Sequence, residues 1–464
     1  MATDGVFADG DWVESKDQDP EGEVRLTQLA DVGEGVFRDR SNRFLNAATA
    51  DRLRCTYLEP GDVLIARMPE PLGRACLFPG SDRPAVTVVD VRILRPGKSG
   101  VFNRWLMWAI NSPQVRQQIR EYQTGTTRKR ISGNNLAKVK IAVPPLAEQH
   151  RIVEALEEQL SRLDAGASTL TLARKRLDGL RKRILVSSVP DELPRSWEMS
   201  TVEQVGTLEL GRARNPDWHH GPEMRPYLRV ANVFEDRIDT TDVMEMDFSG
   251  VWEKYRLYPG DVLLNEGQSP HLVGRPALYR GFPENVAFTN SLIRFKAGKG
   301  VIPEWALLVF RSHLHSKRFM REVRITTNIA HLSAKRLKAV EFPVPPLAVQ
   351  ENLVQRCDEL LSGVAAMDRE VSNGLRRATG LRTALLERAF TGRLVSQQPD
   401  EEPASLLLDR ITAERAAQPR TQRTRKTTAK RAAKTVVPRA SAPAHSAPEP
   451  TPAPALAVQQ EFDL

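Results

Sequence analysis

The chain has 464 residues, and its 67 lysines and arginines exceed its 58 aspartates and glutamates, which gives a formal net charge of +9 at pH 7. No apolar run of about 18 residues and no secretory leader occurs, so the sequence predicts a soluble, cytoplasmic protein of roughly three domains. The three cysteines, Cys55, Cys76 and Cys357, are too few and too scattered for a disulfide framework or a cysteine zinc site.

Short β-type runs broken by turns begin the chain and return about 200 residues later. The segment Leu58 to Leu64 reappears as Leu257 to Leu263, each with a Pro-Gly-Asp turn before an apolar run. The predicted strands are Val24 to Leu29, Val63 to Ala66, Ala85 to Leu94, Tyr227 to Val233, Val262 to Leu264 and Ser291 to Phe295. Two copies of one globular domain are therefore predicted, over residues 1–143 (the first copy) and 190–344 (the second copy).

Each copy ends with the same succession of signals. An amphipathic segment begins near Trp105 and Trp305, a threonine-rich loop follows, and Val-Pro-Pro-Leu-Ala stands at Val143 and, 201 residues later, at Val344. Because two consecutive prolines suit the extended start of a helix but not its interior, each motif predicts a junction between a strand and a helix.

A long heptad pattern follows each junction, over residues 144–189 and 345–396. The apolar positions are Leu156, Leu163, Leu170, Leu177 and Ile184 in the first segment, with Cys357, Val364, Val371, Ala378 and Leu385 as counterparts in the second. Each segment would form a rod of roughly 60 Å. Because neither rod has a partner within its own half, we predict that the two pack on each other as a spacer and a docking surface.

The excess positive charge lies in the C-terminal region. Arg415 to Arg439 contains nine basic residues and no acid, so the rest of the chain is formally neutral. The low aromatic content of residues 397–464 predicts a disordered basic tail. Binding to DNA phosphates and simple solubilisation are both consistent with this composition, and we favour the former.

Loop residues able to bond to base edges or phosphates are the candidates for DNA contact, and a solvated surface loop without any contact is the alternative for each of them. The Pro-Gly-Asp residues Gly61, Asp62, Gly260 and Asp261 are interpreted as turns, and His150 as structural. The candidates are Arg67, Arg74, Thr126, Thr127, Arg128, Lys129 and Arg130 in the first copy, and Asn265, His271, Arg275, Thr326, Thr327, Asn328 and His331 in the second.

In order and in duplicate, these motifs resemble the specificity subunit of type I restriction-modification enzymes over roughly residues 9–395. The resemblance rests on Pro-Gly-Asp-Val-Leu, Val-Pro-Pro-Leu with its following glutamine, the threonine-rich segments Thr126 to Ser132 and Thr326 to Leu332, and the helix ending at Leu381 to Val395. Leu193 to Trp197 resembles the start of that family's target-recognition domain. In the first copy only Asp11-Trp12 is similar to this start.

The resemblance implies an α+β fold in which two mixed α/β target-recognition domains are separated by long antiparallel coiled-coil helices with pseudo-twofold symmetry. It also implies double-stranded DNA with a bipartite site, methyltransferase subunits and a restriction/translocase subunit as partners. The helices would dock the methyltransferase subunits. S-adenosylmethionine, Mg and ATP would belong to the partner subunits, and no cofactor is expected on this chain.

No catalytic and no metal site is predicted. Asn215-Pro216-Asp217-Trp218 lacks the second proline of an adenine methyltransferase motif, and Arg92 replaces the first glycine of a phosphate loop before Lys98-Ser99. His219 and His220 are adjacent and would point apart. A standalone methyltransferase or endonuclease, which would bind cofactor or cleave DNA by itself, and a coiled-coil scaffold without salt-dependent DNA binding remain the alternatives.

Overall fold

The computed structural model describes residues 5–190, 192, 194–326 and 329–416. The elements of the first copy and the first long helix are β1 (Val6–Asp9), β2 (Val24–Thr27), β3 (Phe44–Leu45), α1 (Ala47–Leu53), β4 (Val63–Ala66), β5 (Ala75–Leu77), β6 (Ala85–Thr87), β7 (Val91–Arg95), α2 (Asn103–Asn111), α3 (Pro113–Glu121), α4 (Gly133–Leu136) and α5 (Leu146–Ser187).

The second copy and the remaining helices follow in the same order of signals. Their elements are β8 (Glu198–Thr201), α6 (Val202–Val205), β9 (Gly206–Leu210), β10 (Met224–Leu228), β11 (Val233–Phe234), β12 (Arg237–Ile238), β13 (Met244–Asp247), α7 (Trp252–Tyr255), β14 (Val262–Asn265), β15 (Gly267–Gln268), β16 (Pro276–Leu278), β17 (Ala287–Phe288), β18 (Leu292–Ala297), α8 (Pro303–His315), β19 (Arg324–Thr326), β20 (Ile329–His331), α9 (Ala334–Lys338), β21 (Glu341–Val344), α10 (Leu347–Ala389) and α11 (Ala404–Ala416).

The two copies share one sheet topology. The main sheet has the strand order β1-β7-β4-β5 in the first copy and β9-β18-β14-β16 in the second, with every neighbouring pair antiparallel. A smaller sheet repeats as well, with β2 parallel to β6 and β10 parallel to β17. The predicted duplication is therefore confirmed. The single run predicted from Ala85 to Leu94 is instead two strands, β6 and β7.

The central strands are apolar because both of their faces are covered. All four residues of β4 and all four of β14 are buried. One face of β4 packs on α2, whose Trp105 is fully buried, and Trp305 of α8 occupies the same place in the second copy. The other face belongs to a separate apolar cluster in each copy. This two-sided burial makes each sheet a rigid base for its loops.

The repeated glutamine after each Val-Pro-Pro-Leu motif ties a long helix to its globular copy. The side-chain carbonyl of Gln149 accepts from Phe102 N (2.8 Å), and that of Gln350 accepts from Ile302 N (3.0 Å). Each amide nitrogen also donates to the carbonyl of the first proline of its motif. Both glutamines are fully buried, so the two bonds satisfy polar groups that would otherwise be costly.

The two long helices pack side by side in opposite directions. Asp164 of α5 pairs with Arg382 of α10 (2.8 Å), whereas Arg174, further along α5, faces Asp368, which lies earlier in α10 (3.8 Å). The 42 residues of α5 span about 63 Å. The predicted pair of antiparallel spacer helices is confirmed.

The heptad positions differ in burial along the helices. Leu156 and Val364 are buried, the former in the core of the first copy. Half-buried heptad residues are Leu163, Leu170, Leu177, Ile184, Val371 and Leu385. Partial exposure is expected because, in a pair of helices, each helix covers only one side of the apolar heptad stripe of the other. The uncovered apolar area is available to a further partner.

The start of the first copy differs from the sequence-based expectation. Asp11 forms an isolated β-bridge with Val88, and Arg212 forms the equivalent β-bridge with Thr289 in the second copy. Asp11-Trp12 therefore aligns with the residues just after β9 and not with Leu193 to Trp197. Trp12 is 70% exposed, while Trp197 packs edge-to-face on Trp305 at 5.7 Å. Asp11-Trp12 is therefore not the counterpart of the domain start at Leu193 to Trp197, and the first copy departs from the family pattern there.

The end of α10 occupies the corresponding place in the first copy. Phe390 lies 6.0 Å from Trp105, and partly buried apolar residues that follow it belong to the same core. The Val-Pro-Pro-Leu junction is also unequal. It follows strand β21 in the second copy, which pairs with β8, but residues 139–143 of the first copy form no strand.

Residues 404–416 correct the predicted start of the disordered tail. They form helix α11, in which Leu407 and Ile411 are buried. Arg151 of α5 donates to Glu401 (3.1 Å between Nη2 and Oε2), just before this helix. The average composition of residues 397–464 hid a short apolar cluster that is large enough to order one helix. Residues 417–464, with most of the basic cluster, lie outside the described residues.

Candidate nucleic-acid interface

Backbone hydrogen bonds bring two predicted contact segments together in each copy. Ile131 N donates to Arg67 O (3.1 Å), and Leu332 N donates to Glu266 O (2.8 Å). The threonine-rich segment therefore lies directly beside the loop that follows β4 or β14. Because the two bonds are equivalent, each copy presents its loops from the same edge of its sheet.

The first copy presents a closed basic loop. Thr124 and Arg130 exchange two backbone hydrogen bonds, of 2.8 and 2.9 Å, and close a turn over residues 125–129. Gly125 has φ +95°, and a Cβ there would lie 2.5 Å from the carbonyl oxygen of Arg128, so the turn requires glycine. The exposed predicted residues on it are Thr126, Thr127, Arg128, Lys129 and Arg130.

This loop carries three cations and little opposing charge. Lys129 lies 3.8 Å from Glu70, with both side chains about half exposed, so solvent weakens that ion pair. Arginine forks fit guanine edges, and lysine and hydroxyl groups fit phosphate oxygens. The loop therefore has the chemistry for both base readout and backbone contact.

The second copy presents a hairpin of different chemistry. Strands β19 and β20 pair antiparallel, and β15 adds a third strand through Gly267 and His331. His331 lies 3.3 Å from Glu266. Thr326 ends β19 opposite Ile329, while the predicted contacts Thr327 and Asn328 lie outside the described residues.

The sequence interpretation missed three exposed residues of this hairpin. Arg324 is exposed, as are Ile325 (57%) and Ile329 (48%). Two apolar side chains on a solvated hairpin are suited to contact with thymine methyl groups or a base step. The signal in the sequence is the isoleucine on each side of Thr-Thr-Asn, which places two apolar side chains within a polar segment.

Arg67 and Arg74 have internal roles, which corrects their assignment to DNA. Arg67 donates to Val89 O (2.8 Å) and lies 3.3 Å from Asp9. All three guanidinium nitrogens of Arg74 donate to backbone carbonyls, at 2.8 to 3.1 Å, and its burial lowers its pKa. Neither guanidinium is presented to a ligand in this conformation.

Asn265 and Arg275 need a similar correction. Asn265 is fully buried in β14, and its amide nitrogen lies 3.4 Å from Val233 O. Arg275 donates to the same carbonyl at 2.6 Å and stacks over Phe234. Both side chains fix the loop after β14. His271 in the same loop is exposed.

The Pro-Gly-Asp motifs are turns, as predicted. Gly61 and Gly260 have φ values of +88° and +97°. Asp62 is buried and accepts from Glu59 N (2.8 Å) and Arg95 Nε (2.6 Å), and Asp261 accepts from Tyr258 N (3.0 Å). His150 stacks on Phe102 at 4.1 Å, which fits its structural assignment.

Metal-binding side chains do not cluster in the part of the chain that the structure describes. No three histidine, cysteine, aspartate or glutamate side chains in that part of the chain come together as a metal site. Burial raises the pKa of the Cys76 thiol to about 12, which suppresses its reactivity. None of the described helices is both long and apolar enough to cross a bilayer.

Comparison with known proteins identifies the family. The model of the type I restriction modification DNA specificity domain matches residues 48–170 and 194–373, one stretch for each copy. The type I restriction enzyme EcoKI specificity subunit of Escherichia coli K12 is 26% identical over 345 residues, which cover 70% of this chain and 74% of that protein. The StySPI specificity subunit of Salmonella potsdam is 25% identical over 346 residues, with the same coverage.

A solved structure shares the fold. A chain from a study of complex assembly and conformational transition of a type I R-M system superposes with a TM-score of 0.67 at 18% identity, over 84% of this chain and 97% of that chain. The duplicated copies, the antiparallel helices and the two matched segments agree with one another. The chain therefore belongs to the family of type I restriction-modification specificity subunits.

Proposed function

We propose that this specificity subunit reads a bipartite DNA site, with one half-site bound by each copy. The observation that carries this proposal is that two loops of different chemistry stand at equivalent places in the two copies. Arg128 and its neighbours would read the first half-site, and the hairpin with Ile325 and Ile329 the second. The unread spacer follows from the separation that α5 and α10 impose. The proposed domains are residues 1–143 and 190–344, with spacer helices over 144–189 and 345–396.

In this proposal the chemistry is delegated to partner subunits. Methyltransferase subunits would dock on the paired helices, where Leu172, Leu360, Met367 and Leu381 are each about half exposed. A restriction/translocase subunit would join them in the cytoplasm. S-adenosylmethionine, Mg and ATP would be bound by these partners, and this chain would be noncatalytic. The basic tail would add affinity for DNA without selecting sequence.

Methylome sequencing tests this function. A host that expresses this chain with its methyltransferase partner should gain one methylated sequence made of two short half-sites and an unspecified spacer. A host that expresses the methyltransferase alone is the control and should lack it. A single uninterrupted methylated motif would contradict two separate readers.

The basic loop of the first copy allows a test of the contact residues. Replacing Arg128, Lys129 and Arg130 with alanine should weaken binding to the methylated site, by about 1–3 kcal/mol for each arginine that reads a base. Each lost phosphate contact should also reduce the slope of log K against log salt concentration by about 0.9. Fluorescence anisotropy over a salt series measures both quantities.

A matched variant separates loop contact from net charge. Replacing Lys175, Arg369 and Arg377 with alanine removes the same charge from exposed faces of the two spacer helices. This control should bind with nearly the affinity of the unmodified chain. An equal loss of affinity in both variants would mean that the loop contributes only to the overall field.

A further inference from the structure

A basic pocket lies where α5 meets the second copy. We call it the α5 pocket, and its volume is about 550 Å³. Its walls are the last turns of α5 from Asp178 to Lys182, the loop from Pro270 to Arg275, and the end of α8 with the turn that follows it. These three segments and Glu235, which also lines the cavity, therefore converge from four separate parts of the chain.

The charge of the lining is positive. Arg181, Lys182, Arg275 and Lys317 face this cavity together with two carboxylates, which gives a formal excess of two positive charges. The two histidines of the lining, His271 and His315, can only add to this excess. A positive cavity of this size attracts anions.

The more deeply placed carboxylate is already neutralised by neighbours. Glu235 accepts hydrogen bonds from Arg311 (3.0 Å) and His315 (3.0 Å), and Arg181 lies 3.6 Å away. Burial alone would favour the neutral acid, yet the bond from His315 and the nearby arginines lower the pKa of Glu235 to about 2. Glu235 therefore holds the wall of the cavity together.

Several donors at the rim remain available. Lys317 and His271 are exposed, and neither side chain has an acceptor among the described residues. Lys182 is 2.6 Å from Asp178, but both side chains are more than half exposed, so this pair exchanges readily with solvent or a ligand. Lys317 lies in the turn after α8 with a left-handed backbone (φ +60°).

The floor of the pocket is apolar. Leu272, Leu314, Phe319 and Met320 line it beside the cations, and Phe319 is fully buried. An apolar wall lowers the local dielectric constant. The electrostatic attraction between a bound anion and the rim cations would therefore be stronger than in open solvent. A tetrahedral group with several acceptor oxygens fits three or four convergent donors of this kind.

The pocket is close to the proposed DNA-reading hairpin. Gly267 pairs with His331 of the hairpin, and His271 at the pocket rim is four residues further along the same loop. Four residues reach at most about 14 Å. The major groove is roughly 12 Å wide. The sugar-phosphate backbone at the edge of a groove that holds the hairpin would therefore lie within reach of the pocket.

We propose that the α5 pocket binds a phosphate group of DNA beside the second half-site, so that a spacer helix contacts the duplex directly. This proposal rests on the proposed function of the second copy. Arg181 and Lys182 of α5 would clamp the phosphate from one side, with His271 and Lys317 on the other. The spacer helix would then fix the register of the second reader on the backbone.

The corresponding place in the first copy has different chemistry. At the offset of 200 residues that relates Trp105 to Trp305, Lys317 corresponds to Gln117, which is uncharged and exposed. At the offset of 201 residues that relates the two Val-Pro-Pro-Leu motifs, His271 corresponds to Glu70 and Lys182 to Thr383. The clamp is therefore specific to the second half-site, and its loss should affect one side of the complex.

The double variant Lys182→Gln with Lys317→Asn tests the clamp, since asparagine tolerates the left-handed backbone at position 317. With the full chain and a duplex carrying the methylated site, the slope of log K against log salt concentration should fall by about 1 to 2. Lys182→Arg should keep the slope. The methylated sequence itself should stay the same, because phosphate contacts carry no base identity.

The matched control is Lys175→Gln with Lys299→Gln, which removes two exposed charges outside the pocket. Equal slopes for this control and the pocket variant would overturn the proposal. Calorimetric binding of ATP or inorganic phosphate that the pocket variant abolishes, with its DNA slope unchanged, would also overturn it in favour of a small-molecule site. If the methylome shows no bipartite site, the proposed function fails, while the same salt series on an arbitrary duplex still tests the clamp.

Discussion

A chimera in which residues 5–142 come from another specificity subunit should change one half of the methylated sequence and leave the other half unchanged. The reason is that the first copy has its own sheet and its own loops, and its basic loop closes on itself through Thr124 and Arg130. Methylome sequencing of a host that carries the chimera and its partners measures both halves together. A change in both halves would contradict independent reading by the two copies.

The boundaries of the exchanged segment follow from the strand pairing. β1 pairs with β7, and β2 pairs with β6, so these two strands at residues 6–9 and 24–27 belong to the same sheets as β6 and β7. A chimera that exchanges only residues 37–142 would combine strands of two proteins in both sheets and should fold poorly. The reciprocal exchange of residues 198–343 should alter the opposite half-site.

The repeated architecture was predictable because its signals are local. Pro-Gly-Asp forces a turn, paired prolines exclude a helix interior, and a heptad pattern requires a helical partner. Each signal depends on a few neighbouring residues, and each recurs in order in the second copy. The confirmed elements β4, β14, α5 and α10 all begin or end at such signals.

The contact residues were harder to predict because burial is a property of the folded chain. Arg74 and Arg128 are the same residue type in the same copy, yet the first donates to three internal carbonyls and the second is exposed on a loop. Asn265 follows an apolar run and continues the strand into the core. No local pattern separates an arginine that braces a loop from one that the loop presents.

Composition averaged over a long segment also concealed local order. Residues 397–464 are poor in aromatics, but Leu406, Leu407, Leu408 and Ile411 lie close together within them. Two of these side chains are buried, which supplies enough apolar contact for α11 to pack. The stretch that orders is thus about one helix long, far shorter than residues 397–464, over which the composition is averaged.

Lengthening both spacer helices by one turn should lengthen the unread DNA spacer while both half-sites stay the same. Four added residues extend a helix by about 6 Å, which corresponds to roughly two base pairs of B-form DNA. The insertions belong at facing positions, after Leu170 in α5 and after Gly374 in α10, because Leu170 lies against Gly374 where the antiparallel helices cross. The added turn then extends both helices without shifting one past the other.

An insertion in α5 alone is the control. It would move Asp164 out of register with Arg382 while Arg174 kept its place opposite Asp368, so half of the helix interface would be mispaired. The single insertion should therefore lose stability and methylation, whereas the double insertion keeps both. Four residues turn the seam by only about 40°, which the half-buried heptad contacts tolerate.

The geometry of DNA sets the size of the expected effect. Two extra base pairs rotate one half-site by about 70° relative to the other, so the readers meet their grooves less well and affinity should fall as the spacer grows. Methylome sequencing with the spacer length left free would report the new distance directly. Full methylation at the original spacing by the double-insertion chain would show that something other than α5 and α10 sets the distance between the two readers.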